Sequence, residues 1–489
     1  MLNYTTAAIK FIDDSTTYAS SGIQITTSDD CYIVTISHIP SIFRSRIYVN
    51  FGPADGPGDD DSARVSLWHR CKISRECPVD INELSFLRRE FAIFPRDAIP
   101  GSSRISLLQL RIIEANVNIT KKPRPLQIMH QAVRGRSDVV VGAKIQVISS
   151  PFNATNSMLF HDFTSSASII YDFGGGAFYL SDMKYLDDMH GGVVLTLEGD
   201  AVGLVLGNLR KLNGDGDVVL ILPWFKITHL LSRAEPSTRQ QGGEVQPTNV
   251  MPILISDGRN QNTWGTCVWY RPQVLITNAH VISPFVNSSR GSRSAKVVLS
   301  MGNATISLSH RDRIVVPSRD LDLAFIFLHE KQLNHHQIQP ASSYRVGDNV
   351  ETHSFGLFLN EGHLQPLISQ GIINQIYPQG MIISSASCWN GSSGGALMNT
   401  QGEFLGLICS NAEVAKPRRF QEDEKEEAKA KAESERMTDL TFVLPVEMIN
   451  YCYDQILNGV TQVPVDSNIA DLWKLKPFHT EILIEPSKL

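Results

Sequence analysis

The sequence has little that marks a secreted, membrane-spanning or strongly charged protein. Its 489 residues include 44 basic and 50 acidic side chains, so the net charge is −6 and no basic footprint favours a nucleic-acid partner. Residues 1–15 lack the charged-then-apolar order of a signal peptide, and no apolar run reaches the ~18 residues that span a bilayer. We therefore expect neither a secretory leader nor a membrane span.

Cysteine is scarce and irregularly spaced. The seven cysteines are odd in number, which predicts free thiols in a reducing compartment. Cys71 and Cys77 are close in sequence but have no second pair at zinc-like spacing, so we expect no metal site. The sequence implies no organic cofactor either. Its length allows about two to four domains.

Short apolar runs separated by turn residues dominate the chain, and this spacing is typical of β-sandwiches or barrels. The runs include residues 23–27, 145–149, 202–206, 267–270, 323–328 and 404–410. Residues 233–250 are a predicted linker, because most of them are polar and they include Pro and Gly without periodicity. Residues 445–457 carry apolar side chains at helical spacing and predict a helix.

The two halves of the chain resemble each other. Gly191 and Gly394 are 203 residues apart. At the same offset, Gly192, Gly203 and Asn208 each correspond to a residue of the same type in the second half. We predict two tandem copies of one fold, at residues 1–232 and 251–458, followed by a tail at 459–489. The second copy has an insertion at residues 416–437, dense in Glu, Lys and Ala, which favours a solvated helix. A partner-docking or autoregulatory role for the insertion is the alternative.

The segment Asn390-Gly391-Ser392-Ser393-Gly394-Gly395 is the strongest chemical signal. A hydroxyl that attacks a peptide carbonyl needs two N–H groups aimed at the developing oxyanion. A glycine two residues before the serine lets the N–H groups of Gly391 and Ser393 point into one hole, and two following glycines allow a close approach of substrate. Ser393 is therefore the predicted nucleophile.

Two further segments supply the partners of a nucleophilic serine. An apolar strand runs into Thr277-Asn278-Ala279-His280, and Asp322 directly precedes an apolar run. A histidine can take the serine proton, and a carboxylate can hold its imidazole ring in place. The order His280, Asp322, Ser393 predicts a catalytic triad, whereas Asp320 is interpreted as a turn residue.

These three segments resemble the corresponding motifs of the chymotrypsin superfamily. The resemblance implies an all-β, chymotrypsin-like double β-barrel with its site between the barrels. Ser392 stands where secreted members carry an aspartate that binds a freed N-terminal amine, so we do not expect that route of activation. The loop is more similar to the HtrA/Deg branch of intracellular proteases.

The chain ends in Ser487-Lys488-Leu489, a peroxisomal import address that a receptor reads. Together with a divergent domain before the protease, this ending resembles the peroxisomal leader-peptide-processing protease family. We therefore expect a location in the peroxisomal matrix, with the import receptor and matrix proteins as partners. The sequence leaves open whether the protein forms a homo-oligomer.

The resemblance also implies where the specificity pocket lies. Its base would be Ser387, six residues before Ser393, and its wall would come from Cys409, Ser410 and Asn411. No acidic residue is near Ser387 in sequence, which argues against a preference for Lys or Arg. The family implies cleavage after cysteine in leader peptides.

The first half is predicted to be a degenerate copy. The same offset places His190 at the position of Ser393, Ser106 is the nearest counterpart of Asp322, and His38 would have nothing to activate. A structural role is the leading interpretation, and substrate or partner binding is the alternative. By resemblance, self-cleavage would fall near Cys71 and Cys77.

The functional prediction is a serine endopeptidase of the peroxisomal matrix. It would remove N-terminal leader peptides from imported proteins, cleave β-oxidation enzymes and process itself. The alternative is a protease-fold binding or chaperone protein with little proteolytic role. An esterase is disfavoured, because the loop around Ser393 lacks the context of a Gly-x-Ser-x-Gly elbow, which lies between a strand and a helix.

Overall fold

A computed structural model describes most of the chain in segments. They are residues 3–12, 17–26, 31–37, 46–52, 67–79, 82–94, 109–114, 124–128, 139–156, 159–173, 176–211, 217–232, 249–256, 262–287, 294–298, 305–309, 311–329, 338–359, 364–415 and 434–474. The chain divides into two units, Met1–Glu244 and Val245–Leu489.

The first unit is built almost entirely of strands. They are β1 (Asn3–Ile12), β2 (Thr17–Thr26), β3 (Cys31–Ser37), β4 (Ile47–Asn50), β5 (His69–Pro78), β6 (Phe91–Phe94), β7 (Gln109–Glu114), β8 (Arg124–Pro125), β9 (Gln127–Ile128), β10 (Lys144–Ser149), β11 (Phe163–Phe173), β12 (Phe178–Ser181), β13 (Val193–Thr196), β14 (Asp200–Lys211) and β15 (Asp217–Pro223). The helices are a 3₁₀ segment at Asn82–Arg89, α1 (Asn153–Asn156) and α2 (Trp224–Ser232).

Two closed barrels form the first unit. In one, the six strands follow the order β2-β3-β7-β5-β4-β1, and β1 pairs with β2 to close the ring. In the other, the order is β13-β10-β11-β12-β15-β14, closed by pairing of β13 with β14. Each barrel has its own apolar interior, which includes Ile9 and Ile33 in the first and Val147 and Ile221 in the second.

The second unit is also built mainly of strands. Its strands are β16 (Val250–Ser256), β17 (Asn262–Arg271), β18 (Val274–Thr277), β19 (Ser294–Val298), β20 (Thr305–Ser307), β21 (Arg313–Val315), β22 (Ala324–Phe327), β23 (Asn349–Ser354), β24 (Leu367–Tyr377), β25 (Met381–Ser384), β26 (Ala396–Asn399), β27 (Phe404–Ala415) and β28 (Ser434–Pro445). Its helices are α3 (Ala279–Val286), α4 (Val446–Leu457) and α5 (Ser467–Trp473).

A seven-stranded sheet and a closed barrel make up this unit. The sheet has the order β20-β19-β16-β17-β18-β22-β21, and the barrel has the order β23-β24-β25-β28-β27-β26. Side chains of both, such as Ile276, Phe325 and Leu407, pack into one buried cluster, which Ile449 of α4 also joins. The cluster fixes the sheet against the barrel within this unit, and the predicted site residues lie along that junction.

The prediction of an all-β, chymotrypsin-like double barrel is confirmed. One detail of the second unit differs, because residues 434–437 belong to β28 and not to a helical insertion. Met437 pairs with Ala412, and Ser434 pairs with Ala415, so the β27–β28 ladder extends to the last described residues on both sides. Residues 416–433 lie outside the described part of the chain.

The predicted repeat is visible in matching hydrogen bonds. In the first unit Gly191 N–H donates to Val205 C=O, and in the second Gly394 N–H donates to Ile408 C=O, each at 2.8 Å. Both glycines have a φ of +85°. The two pairs are separated by the same offset of 203 residues that the sequence indicates, so the glycine pattern reflects one turn built twice.

A second pair of bonds ties the same turns to a neighbouring strand. Ser21 Oγ on β2 donates to Asp188 C=O at 2.7 Å, and Thr266 Oγ1 on β17 donates to Gly391 C=O at 2.8 Å. Asp188 and Gly391 both have positive φ, +68° and +94°. The backbone of the loop is thus alike in the two units, although its side chains differ.

Candidate active site

His280 and Asp322 meet because the strands that carry them are neighbours. β18 and β22 pair antiparallel, with Thr277 opposite Ala324, so the end of one strand lies beside the start of the other. Asp322 Oδ2 lies 2.5 Å from His280 Nδ1, and Asp322 Oδ1 accepts from the His280 backbone N–H at 2.9 Å. An ionised carboxylate in this position favours the tautomer with its proton on Nδ1, which leaves Nε2 to act as a base.

Ser393 lies on the loop between β25 and β26, held by two contacts. Its C=O accepts from Thr266 N–H at 2.9 Å, and its hydroxyl donates to Cys409 C=O at 3.2 Å. Within the described segments, no hydrogen bond joins Ser393 Oγ to the His280 ring. Catalytic hydrogen bonds of this kind are often long or misaligned without substrate and tighten in the complex.

Ser393 lies near the segment that carries His280, because the sheet and the barrel of the second unit approach each other closely at Gly265. Gly265 of β17 lies between them, and a Cβ atom on it would be 2.6 Å from Val281 Cγ1 and 3.3 Å from Ser393 C=O. Val281 directly follows His280. Any larger residue at position 265 would therefore push the base-bearing segment away from the nucleophile loop.

The carbonyl groups before Ser393 are turned away from the reacting position. Hydrogen bonds of 2.8 Å hold them, from Ser392 N–H to Trp389, from Leu357 N–H to Asn390 and from Thr266 Oγ1 to Gly391. In a trans peptide the C=O and N–H groups point in opposite directions, so the bonded Asn390 carbonyl aims Gly391 N–H the other way. Neither Gly391 N–H nor Ser393 N–H donates to another described residue, which is the arrangement that an oxyanion hole requires.

Two positions of this loop favour glycine over every other residue type. Gly391 has a φ of +94°, and a Cβ atom on it would lie 2.5 Å from Trp264 Nε1. A Cβ atom on Gly394 would lie 1.9 Å from Thr266 C=O. Both positions need positive φ and a close backbone approach, which only glycine combines at low cost.

Asn278 and Cys409 connect the predicted catalytic residues Asp322 and Ser393. Asn278 Nδ2 donates to Asp322 C=O at 2.7 Å and to Cys409 Sγ at 3.3 Å, while Cys409 C=O accepts from Ser393. Cys409 lies at a bulge where the β27–β28 register shifts between Ile408 and Ser410. The sequence analysis assigned no role to Asn278, because its partners Asp322 and Cys409 lie in distant segments of the chain.

The environment of Cys409 keeps its sulfur protonated. The side chain is 2% exposed. Burial, and next the negative charge of Asp322, raise the pKa of the Cys409 thiol well above its usual range. The group facing Asp322 is therefore a neutral thiol and adds no second negative charge beside the predicted triad.

The other predicted pocket residues lie on neighbouring elements. Ser387 N–H donates to Ser369 Oγ at 3.0 Å, and Ser387 C=O accepts from Thr352 Oγ1 at 2.7 Å, so neutral hydroxyls bind its backbone. Ser410 is exposed, and Asn411 pairs with Thr441 in the β27–β28 ladder. The pocket assignment stays a prediction, and the side chain of Asn411 lies outside the described part.

Several sequence predictions concern residues outside the described segments, namely His38, Ser106 and the ending Ser487-Lys488-Leu489. All seven cysteines are described, and they are unpaired. Within the described segments, no group of three His, Cys, Asp or Glu side chains could hold a metal ion. Among those same segments, no helix has the length and apolar character needed to cross a membrane.

The corresponding loop of the first unit carries different side chains. His190 takes the place of Ser393, is 2% exposed, and has its Nδ1 3.0 Å from Tyr185 Oη. Asp188 stands where the second unit has Gly391, and burial raises the pKa of its carboxyl. This loop lacks a serine or cysteine at the nucleophile position, so it cannot form an acyl-enzyme there.

Sequence comparisons match part of the chain to a peptidase domain and to a serine endoprotease. The family model of the trypsin-like peptidase domain matches residues 265–407. A probable periplasmic DegP-like serine endoprotease of Buchnera aphidicola subsp. Baizongia pistaciae is 24% identical over an alignment that covers 41% of this chain and 39% of the relative. The chain thus spans about two fifths of the length of this curated relative.

The chain is also similar in part to two solved structures. Rv3671c from Mycobacterium tuberculosis is 18% identical with a TM-score of 0.29, covering 44% of this chain and 89% of that one. The serine endoprotease from Yersinia pestis is 20% identical with a TM-score of 0.32, covering 43% and 64%.

The matched range contains all three predicted catalytic residues. Residues 265–407 run from β17 through His280, Asp322 and Ser393 into β27. The match to the trypsin-like peptidase domain thus spans the predicted triad of the second unit, and the chain is also similar to a DegP-like serine endoprotease.

Proposed function

We propose that the protein is a serine endopeptidase that processes proteins imported into the peroxisomal matrix. The observation that carries the catalytic part is the contact of His280 with Asp322 beside a loop whose Gly391 and Ser393 N–H groups donate to no other described residue. This combination provides a base, its orienting acid and a binding site for an oxyanion around one serine.

In the proposed mechanism, substrate binding turns the Ser393 hydroxyl from Cys409 C=O toward His280. Nε2 takes the hydroxyl proton as Ser393 Oγ attacks the peptide carbonyl, and Asp322 stabilises the imidazolium. The Gly391 and Ser393 N–H groups bind the oxyanion. His280 then protonates the leaving amine, and water resolves the acyl-enzyme by the reverse sequence of proton transfers.

The substrate and location are proposed on separate grounds. The Ser487-Lys488-Leu489 ending would recruit the peroxisomal import receptor, and seven unpaired thiols are compatible with a reducing compartment. The neutral hydroxyl groups around Ser387 suit a small uncharged side chain before the cleaved bond. Leader peptides of imported proteins, β-oxidation enzymes and the chain itself are the proposed substrates.

The test is incubation of purified wild-type protein and the Ser393→Ala variant with a peroxisomal precursor that bears an N-terminal leader, followed by mass spectrometry of the products. We expect the wild type alone to cut at the leader boundary, because the variant has no nucleophile. Cutting of an unrelated unfolded protein but not of the precursor would contradict the leader-processing role. Equal products from both proteins would contradict the assignment of Ser393.

A further inference from the structure

A buried pair of serines joins the nucleophile loop to the end of β23. Ser354 Oγ, at the end of β23, donates to Ser392 Oγ at 2.8 Å, and Trp389 N–H donates to the same oxygen at 3.0 Å. Ser354 and Ser392 are each 1% exposed. The Ser392 side chain thus points into the protein while the peptide groups on either side of it form the predicted oxyanion hole.

The space around the Ser392 hydroxyl is closely filled. A Cβ atom on Gly356 would lie 2.2 Å from Ser392 Oγ, so the glycine makes room for the hydroxyl. Ser354 itself is fixed from the other side, because a Cβ atom on Gly395 would lie 2.8 Å from Ser354 Cβ. Two glycines and two hydroxyls therefore form one packed contact between β23 and the loop.

The first unit provides an internal comparison. Met189 occupies the position of Ser392, since Met189 C=O accepts from Gly192 N–H at 2.9 Å as Ser392 C=O does from Gly395 N–H. Ser149 occupies the position of Ser354, and a Cβ atom on Gly192 would lie 2.7 Å from its Cβ. Ser149 Oγ is buried and has no hydrogen-bond partner among the described residues. The copy with a histidine at the nucleophile position thus also lacks the serine–serine bond.

We propose that the Ser354–Ser392 hydrogen bond is a positioning device that holds the oxyanion hole in its reactive form. The peptide between Ser392 and Ser393 supplies one donor of the hole, and the peptide before Gly391 supplies the other. If Ser392 is not anchored, these peptides can rotate and turn their N–H groups away from the substrate. With the Ser354–Ser392 bond in place, the oxyanion hole forms without a freed N-terminal amine. This inference rests on the proposed function, because it concerns the same catalytic site.

The test compares the variants Ser354→Ala and Ser392→Ala with the matched control Ser149→Ala. The readout is the rate of covalent labelling by a fluorescent fluorophosphonate over a range of probe concentrations, because the phosphoryl oxygen must enter the oxyanion hole. We expect the maximal rate to fall by about tenfold to a hundredfold in both variants, with the half-saturating probe concentration little changed. Ser149→Ala should label as the wild type does, because it removes a hydroxyl that has no partner.

A double variant and an unfolding measurement separate positioning from general destabilisation. If both hydroxyls act through one bond, the double variant should label no more slowly than the slower single variant. Thermal unfolding of each protein establishes that labelling is compared well below the midpoint. Labelling of Ser354→Ala at the wild-type rate would overturn the proposal, as would an equal slowing in Ser149→Ala. Absence of labelling in the wild type would overturn both this proposal and the proposed function.

Discussion

At the scale of single residues, Asp320 and Asp322 are two neighbouring carboxylates with different surroundings. Asp320 Oδ1 pairs with Lys474 Nζ at 2.7 Å, and both side chains are at least 40% exposed. Asp322 instead holds the backbone and the ring of His280. Exposed ion pairs contribute little to stability, whereas a carboxylate that fixes a catalytic imidazole affects every turnover.

We predict that Asp322→Asn lowers turnover by about 10⁴-fold, because an amide in this position favours the wrong imidazole tautomer. Asp320→Asn is the matched control, two residues away, and should retain turnover within about twofold, because it alters only an exposed pair. Steady-state hydrolysis by the two variants and the wild type provides the measurement. Comparable losses in both variants would mean that the acid of the site has been assigned incorrectly.

The residue scale also shows which site features the sequence could predict. Ser393, His280 and Asp322 are predicted because each lies in a short local pattern, and Gly391 and Gly394 because few residues other than glycine adopt their positive φ. The link through Asn278 and Cys409 depends on a β-bulge and on contacts between segments more than a hundred residues apart. No local pattern specifies such a contact.

At the scale of elements, β27 and β28 continue as a paired ladder to Ala415 and Ser434, the last described residues on either side of the insertion. An antiparallel pair in this register can be joined by a two-residue turn. The ladder therefore does not require residues 416–433 for its own hydrogen bonding.

Replacement of residues 416–433 by Asn-Gly should leave the fold intact, because that dipeptide favours the turn that matches the twist of two paired strands. We expect the thermal unfolding midpoint and the fluorophosphonate labelling rate to stay close to their wild-type values. Slower labelling in a folded variant would show that the insertion contributes to the active site.

Elements differed in how well the sequence predicted them. The helix α4 begins at Val446 after Pro445, as its apolar spacing indicates, although Leu457 is 61% exposed and lies off the buried face. The helix α5 was not predicted. Its signal was local, because Asp466 caps it by accepting from Asn468 N–H at 2.8 Å. A seven-residue helix has too few turns for its apolar periodicity to be recognised.

At the scale of the whole molecule, the two units repeat one loop backbone with different chemistry. The repeat could be read from the sequence because glycines with positive φ, such as Gly191 and Gly394, are hard to replace. Side chains changed freely around that backbone, as His190 and Met189 show. The turn is therefore common to both units, while the predicted nucleophile Ser393 lies in the second unit and His190 takes its place in the first.

The identity of the nucleophile is the central claim, and a covalent adduct tests it most directly. Purified full-length protein would be labelled with a fluorophosphonate, digested and sequenced by tandem mass spectrometry, with Ser393→Ala treated in parallel. We predict one adduct, located on Ser393 and absent from the variant, because the N–H groups of Gly391 and Ser393 donate to no other described residue and the segment that carries His280 lies close by. An adduct on Ser392, a labelled Ser393→Ala protein, or no adduct in the folded wild type would contradict the account.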